Sequence, residues 1–378
     1  MKTFQYKLYA SKKNKALHSQ IDLAAEIYNH CIALHRRYYR LYKKSLHVYA
    51  LQKHLTKLKK QKRYSHWNKL GSQAIQDVVE RIDKSYKLFF RNIKHNIKAG
   101  TPHFRKRCWY KSFTLTQAGY KLLEGNKIRI GNKIYRYSNS RNIQGNIKTL
   151  TVKRDTLGDV YIYITTDFLE QRATPQTGKS VGFDFGLKVF LTASDGKDIL
   201  SPLFFQQHRA DIKSANRQLS WKQRGSNNRA KARKSLGRLH KRVENKRADF
   251  HWKIANQLTD NYDYLFFENL NIKAMQQLWG RKISDIGFHS FMKKVEYLAS
   301  IKAKTVHYIN RFEPSSKTCS VCGQINHELR LKDRAWLCAK CGTNHDRDRN
   351  ASYNILRVGA STLGLGDVSP VEILAIAA

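Results

Sequence analysis

The sequence predicts an α+β protein of several domains. Three patterns carry that expectation. Segments of period two at residues 1–10 and about 102–170 enclose a long helical stretch, apolar strands alternate with helices from residue 178 onward, and two CxxC pairs lie near the C-terminus. The length of 378 residues favours two or three domains. A hydrophobic fraction of 41% is enough for real cores and excludes a wholly disordered chain.

Residues 1–10 read as a strand, with Phe4, Tyr6, Leu8 and Ala10 on one face. From about 14 to 98 the period becomes helical, and Leu17, Ile21, Ala24, Ala25 and Tyr28 keep to one face. "SFTLTQ", "KIRIGNKIY", "IKTLTVKRD" and "VYIYITTDFL" are strands separated by Gly and Asn turn signals. They suggest a small barrel built from residues 1–12 and 100–172, with the helices 13–99 inserted between, and "EQRATPQTGK" as a linker. Beyond it, "SVGFDFGLKVFLTASDG" reads as two strands around a tight turn. A basic helical segment follows, with 15 Lys or Arg against 3 acids between Gln206 and Lys253. Then come the apolar strand "NYDYLFFENLNI", a helix near 288–303 and the strand "KTVHYI". The small-residue segment 359–378 is expected to be a flexible tail.

The charge is the loudest global signal: 71 Lys and Arg against 28 Asp and Glu, net +43. A polyanion would offset the self-repulsion of such a chain, so the expected partner is nucleic acid. A membrane surface fits less well, because the cations are spread along the chain and no long apolar run exists. The opening residues lack a signal-peptide pattern, and the paired cysteines suit a reducing compartment, so the expectation is a cytoplasmic protein. In the helical region, Tyr38, Tyr39, Tyr42, Tyr64 and Trp67 are interleaved with Lys and Arg, Lys69 among them. That mixture suits stacking on bases and pairing with phosphates. Arg229, Arg233 and Arg238 in the second basic segment, and Arg347, are further candidates for phosphate contact.

Cys319, Cys322, Cys338 and Cys341 form C-x2-C and C-x2-C pairs with fifteen residues between them. Four soft sulfur ligands in a closed tetrahedron predict a structural zinc site, a ribbon over 317–343 with no open position for chemistry. Cys31 and Cys108 lack partners at ligand spacing and are expected to be core thiols.

Three acids stand out against the basic background. Asp184 interrupts an apolar strand, Glu268 ends another, and Asp348 precedes a helical pattern in "HDRDRNASYNIL". Each has an ordinary reading: a turn acid, a strand-end acid, a helix N-cap. Taken together, two strand acids and one at a helix start suit a two-metal centre that hydrolyses a phosphodiester.

"GFDFGLK", "FENLNI", "PSSKTCSVCG", "CAKCG" and "DRDRNASYNI", in this order and spacing, resemble the RuvC-type, RNase H-like nuclease of the TnpB proteins. These are transposon-encoded RNA-guided endonucleases related to compact type V CRISPR effectors. "FQYKLYASKKN" and "SQAIQDVVERIDKSYKLFF" extend the likeness toward the N-terminus. Phe183 and Phe185 depart from the aliphatic residues usual beside the first acid. The resemblance implies that Asp184, Glu268 and Asp348 are the catalytic, Mg²⁺-binding acids, with Asp346 the weaker candidate. Their presence speaks against nuclease-dead relatives that act as guided repressors. It also implies a wedge-like barrel, a helical recognition domain over 13–99, and a RuvC-like domain over 178–316 and 344–358 carrying the inserted ribbon.

The implied partners are a guide RNA from the transposon end and a double-stranded DNA target, held by one copy of the chain in a ribonucleoprotein. Base pairing would supply sequence specificity. Gln76 is the implied contact to a base of a short motif beside the target, since Gln pairs bidentately with adenine. With no second nuclease motif, the same centre would cut both strands in turn. The competing readings are a non-catalytic zinc-ribbon nucleic-acid-binding protein and a DNA-joining transposase.

Overall fold

The computed structural model describes residues 1–172, 174–330 and 332–366. Two compact units divide the chain, the first ending at Glu170 and the second starting at Gln171.

The first unit contains β1 (Lys2–Lys7), α1 (Asn14–Tyr42), α2 (Val48–Leu58), a 3-10 segment (Lys62–Leu70) and α3 (Ser72–Lys94). A short 3-10 turn (Arg107–Trp109) leads to β2 (Ser112–Leu115), β3 (Tyr120–Leu123), β4 (Lys127–Ile130), β5 (Lys133–Arg136), β6 (Ile147–Arg154) and β7 (Val160–Thr166). The strands form an antiparallel sheet in the order β1-β7-β6-β2 and a three-stranded meander β3-β4-β5. A bridge between Leu8 and Tyr137 joins them. Alternation decides which side chains point inward, so Phe4, Tyr6 and Leu8 are buried. Ala10, expected on the same face, is exposed because the strand has already ended. β3 was not anticipated from sequence; "YKLL" has no clean alternation.

Helix α1 buries Leu17, Ile21, Ala24, Ala25 and Tyr28 at the spacing that predicted it, and one core runs through helices and strands alike. Cys31 lies in that core, where burial pushes its thiol up to about 12. Cys108, expected in the core, is exposed in the 3-10 turn.

The second unit is a five-stranded mixed sheet with helices on both faces. Its elements are β8 (Ser180–Phe185), β9 (Val189–Ala193), β10 (Ile199–Leu200), α4 (Phe204–Gln207), α5 (Arg209–Ser220), α6 (Asn227–Asn261) and β11 (Tyr264–Glu268). Then follow α7 (Ile272–Trp279), α8 (Arg281–Ile286), α9 (Phe288–Lys302), β12 (Thr305–Ile309), β13 (Ala335–Leu337), β14 (Asn344–Asp346) and α10 (Arg347–Thr362). The sheet order is β10-β9-β8-β11-β12, with β8, β11 and β12 parallel and the β9 and β10 pairings antiparallel.

Period two sorts the strand residues between the faces. Val181, Phe183, Leu265 and Phe267 pack with Ala255 and Leu258 of α6 and Phe291 and Val295 of α9. Phe266 and Ile309 pack with Ile355, Leu356 and Ala360 of α10 on the other face. The helix α10 runs on to Thr362 with Gly359 and Ala360 buried, so those residues are not tail; residues 367–378 lie outside the described residues. Among the described residues no helix is long and apolar enough to cross a membrane.

Candidate active site

The sheet's sorting rule places the acids. With Phe183 and Phe185 both packed with the α6/α9 core, Asp184 faces the side that α10 covers. Phe267 lies in that same core and Phe266 under α10, so Glu268 shares the α10 side. The parallel register pairs Phe267 with Phe183, and the next residues along are Glu268 and Asp184. Two carboxylates thus lie at the C-terminal ends of neighbouring parallel strands on one face, Asp184 one residue before the end of β8 and Glu268 the last of β11.

The third acid arrives on α10. Asp346 is the N-cap, its carboxylate accepting from the Arg349 backbone N–H at 2.9 Å. The ordinary reading of Asp348 as the cap is therefore wrong, and Asp348 sits free of that duty in the first turn, where the helix dipole favours its charge. The approach of α10 to the sheet depends on glycine. A Cβ on Gly182 would lie 2.3 Å from the Ser352 carbonyl oxygen and 2.5 Å from the Leu356 nitrogen. A Cβ on Gly359 would meet the Phe266 ring at 2.2 Å.

Electrostatics ties the three acids together. Asp184 is pushed up to about 8 by burial, then by the negative charges of Asp348 and Glu268, against the opposing pull of the Phe185 backbone N–H and of Arg347. Burial also raises Glu268. A buried carboxyl that also faces two more carboxylates keeps its proton toward neutrality unless a cation outweighs them. Asp348 has one: Arg334 Nη1 lies 3.2 and 3.3 Å from its two carboxylate oxygens. Sequence reading missed Arg334, which β13 pairing brings across, since Ala335 opposes Asp346.

The four cysteines converge, with all four Sγ atoms within 4.8 Å of one another; among the described residues no other group of three or more His, Cys, Asp or Glu ligands is so close. Cys319 and Cys341 are 3.6 Å apart and Cys322 and Cys338 3.5 Å. A zinc tetrahedron with sulfur ligands at 2.3 Å has edges of about 3.8 Å, so the donor set fits zinc. The Thr343 hydroxyl and backbone hold the Cys341 thiol down at about 6. β14 begins just past the expected ribbon of 317–343, and its His345 Nε2 lies 3.0 Å from Cys319 Sγ.

Two buried asparagines fasten this knuckle to α10. Asn350 Oδ1 accepts from the Ser320 N–H at 2.9 Å, and its Nδ2 donates to the Thr318 carbonyl at 2.7 Å. Asn354 Nδ2 donates to the carbonyls of Ser315 and Thr318 at 2.7 and 2.6 Å.

The expected nucleic-acid residues divide. Gln76, Lys69, Arg233 and Arg238 are exposed. Tyr64 instead packs on Trp67, with ring centroids 4.8 Å apart, and belongs to the first unit's core. Arg229 donates to the carbonyls of Leu219 and Lys222 at 2.8 and 2.7 Å, closing the turn between α5 and α6. Arg347 donates to the Arg330 carbonyl at 2.9 Å. Arg349, two residues further along α10, pairs with Asp198 at 2.9 Å and donates to the Ala193 carbonyl.

Comparison with known proteins fits this arrangement. Residues 161–278 match the OrfB_IS605 family, described as "Probable transposase", and residues 288–355 match the Cas12f1-like TNB domain. A Streptomyces pristinaespiralis protein named "Putative RNA-guided DNA endonuclease" is 34% identical over 221 residues, 58% of this chain and 54% of the relative. The Escherichia coli K12 protein "Putative RNA-guided DNA endonuclease InsQ" is 28% identical over 317 residues, 79% of this chain and 77% of the relative. The TnpB-like protein L79 of Acanthamoeba polyphaga mimivirus is 27% identical over 228 residues, 56% of this chain and 43% of the relative.

Together these matches support a place in the TnpB family.

The chain spans about half the length of the Streptomyces relative. Two solved structures share the α+β fold. One is the Cas12f1–sgRNA–target DNA complex, with a TM-score of 0.58, 16% identity, and 91% of this chain and 83% of that chain covered. The other is the mini-RNA-guided endonuclease CRISPR-Cas_phi3, with a TM-score of 0.51, 11% identity, and 95% and 92% covered.

Proposed function

We propose that this chain is a TnpB-type RNA-guided DNA endonuclease whose catalytic centre is Asp184, Glu268 and Asp348. The observation that carries the reading is the Asp184 carboxyl, raised to about 8 by burial and by the charges of Asp348 and Glu268, three acids contributed by β8, β11 and α10. A partly buried and under-neutralised set of carboxylates that feel one another's charge suits Mg²⁺, which would activate a water and stabilise the leaving oxygen of a phosphodiester. The residues' own part is to hold three acids on one face of a rigid sheet and helix, so that a DNA strand meets preset charges. The sheet order β10-β9-β8-β11-β12, with its first three sequential strands antiparallel, supports the RNase H-like, RuvC-type assignment over 178–316 and 344–358.

In this reading the four-cysteine ribbon holds zinc. The strands of 1–12 and 100–172 form the wedge-like barrel, and the helices of 13–99 carry Gln76 and Lys69 toward the motif beside the target. The net charge of +43 supports a transposon-end guide RNA and the DNA target as ligands of one cytoplasmic copy of the chain. Cleavage of matched plasmid tests this. Asp184→Ala and Glu268→Gln should each abolish cutting in Mg²⁺ while RNA binding survives, and continued cutting by either variant overturns the assignment.

A further inference from the structure

The hairpin of α5 and α6 carries an unusual combination of charge and apolar display. Between Asp211 and Glu244 the chain has 11 Lys or Arg and no acidic residue. At its tip, where α5 ends, Trp221 is 78% exposed, between the exposed Lys222 and Arg224 on one side and the last turn of α5 on the other.

This tip is built rather than slack. The Arg229 guanidinium reaches back to the carbonyls of Leu219 and Lys222, one on each side of Trp221. Ser226 caps α6 by accepting from the Arg229 N–H at 3.1 Å and donates its hydroxyl proton to the Gln223 carbonyl at 2.9 Å. Gly225, at φ +87°, supplies the left-handed residue that the turn needs. One of the segment's cations is thus used inside the protein to fix the backbone on which an indole stands in water. Fixing an exposed aromatic lowers the entropy cost of placing something against it. In a segment with no acid for thirty residues, that partner is a polyanion with flat, apolar rings.

We propose that the α5–α6 tip is a stacking platform for an unpaired nucleotide, with Trp221 taking the base and Lys222, Arg224 and Arg233 the neighbouring phosphates. The inference deepens the guided-nuclease reading and rests on it. Unpaired nucleotides in that reaction have two sources, single-stranded segments of the guide RNA and the displaced DNA strand. Both offer the same chemistry to the tip.

The test uses the full chain with its native cysteines, freed of bound nucleic acid at high salt. Binding is measured to short single-stranded RNA and DNA of one sequence, with the DNA duplex as control. Trp221→Ala should weaken single-strand binding by about 10-fold or more, and Trp221→Phe should retain most of it, since stacking needs a ring rather than an indole. Weakening confined to the RNA or to the DNA names the source, and duplex binding should change little. Arg233→Gln should flatten the dependence of log affinity on log salt by about 0.7, the share of one phosphate contact on a single strand. Arg229→Gln should lower affinity with the native salt slope, because its charge is turned inward. Trp221→Ala binding both single strands within about 2-fold of the native protein overturns the proposal and leaves the nuclease reading intact. A native chain that binds no nucleic acid overturns both.

Discussion

Gly182→Ala is the substitution that should most directly damage the link between sheet and helix. The new methyl would sit 2.3 Å from the Ser352 oxygen and 2.5 Å from the Leu356 nitrogen, both backbone atoms of α10. No side chain can rotate away, so the helix must retreat by about 1 Å to restore ordinary contact. Overpacking of this kind costs about 1–3 kcal/mol, more where backbone is the obstacle. In a unit of this size each kcal/mol moves Tm by about 2–4 °C, so a fall of roughly 2–12 °C is expected. Function should suffer further. Asp184 is two residues along β8 from the methyl and Asp348 one turn of α10 from Ser352, and a displacement of about 1 Å between catalytic groups costs about 100-fold in rate. The assay pairs a thermal melt with single-turnover cleavage at a temperature where the variant remains folded. A variant with native Tm and native rate would refute the idea that close packing of α10 on β8 sets the carboxylates.

Three further outcomes follow from the same geometry. Arg334→Ala removes the cation that pairs with Asp348, so Mn²⁺ titrated into the protein should bind up to about 5-fold more tightly, the range of an exposed ion pair; weaker binding would make Arg334 a helper of the metal rather than its competitor. In Mg²⁺-free protein, Asp184 keeps its proton up to about 8 when folded and releases it near 4 when unfolded. The stability this confers is present below pH 4 and lost as pH rises through 8. Asp184→Asn should therefore melt higher than native at pH 8 and at the same temperature near pH 4, and a lower melt at pH 8 would contradict the assignment of the shift. Cys338→Ser should lower Tm and cleavage together, because Asn350 and Asn354 carry the knuckle's order into α10; an unchanged Tm on zinc chelation would deny the ribbon a structural role.

The strands and the acids were legible because they break local rules that sequence displays. An aspartate inside "VGFDFGL" and a glutamate closing "YLFFENL" are conspicuous where period two demands apolar neighbours, and CxxC spacing declares its geometry without tertiary information. What stayed hidden depends on partners distant in the chain. Arg334 meets Asp348 only through β13–β14 pairing, and His345 joins the cysteine cluster by the same hairpin. Basic residues were the least readable. Arg229, Arg347 and Arg349 look alike in sequence, yet each turns to a protein carbonyl or carboxylate, because a guanidinium finds whatever acceptor the fold brings near. Tyr64 shows the same ambiguity for aromatics, since a ring suited to stacking on a base suits a core equally well.

The central claim is that three carboxylates from separate elements act as one RNA-directed nuclease centre. The most direct measurement sequences the RNA that copurifies with the protein, rewrites its guide segment, and follows cutting of plasmids matched and unmatched to the new sequence. The account predicts a discrete RNA, cuts that follow the rewritten guide, a requirement for Mg²⁺, and no cutting by Asp184→Ala. Cutting that ignores the guide, or that persists without Asp184, would contradict it.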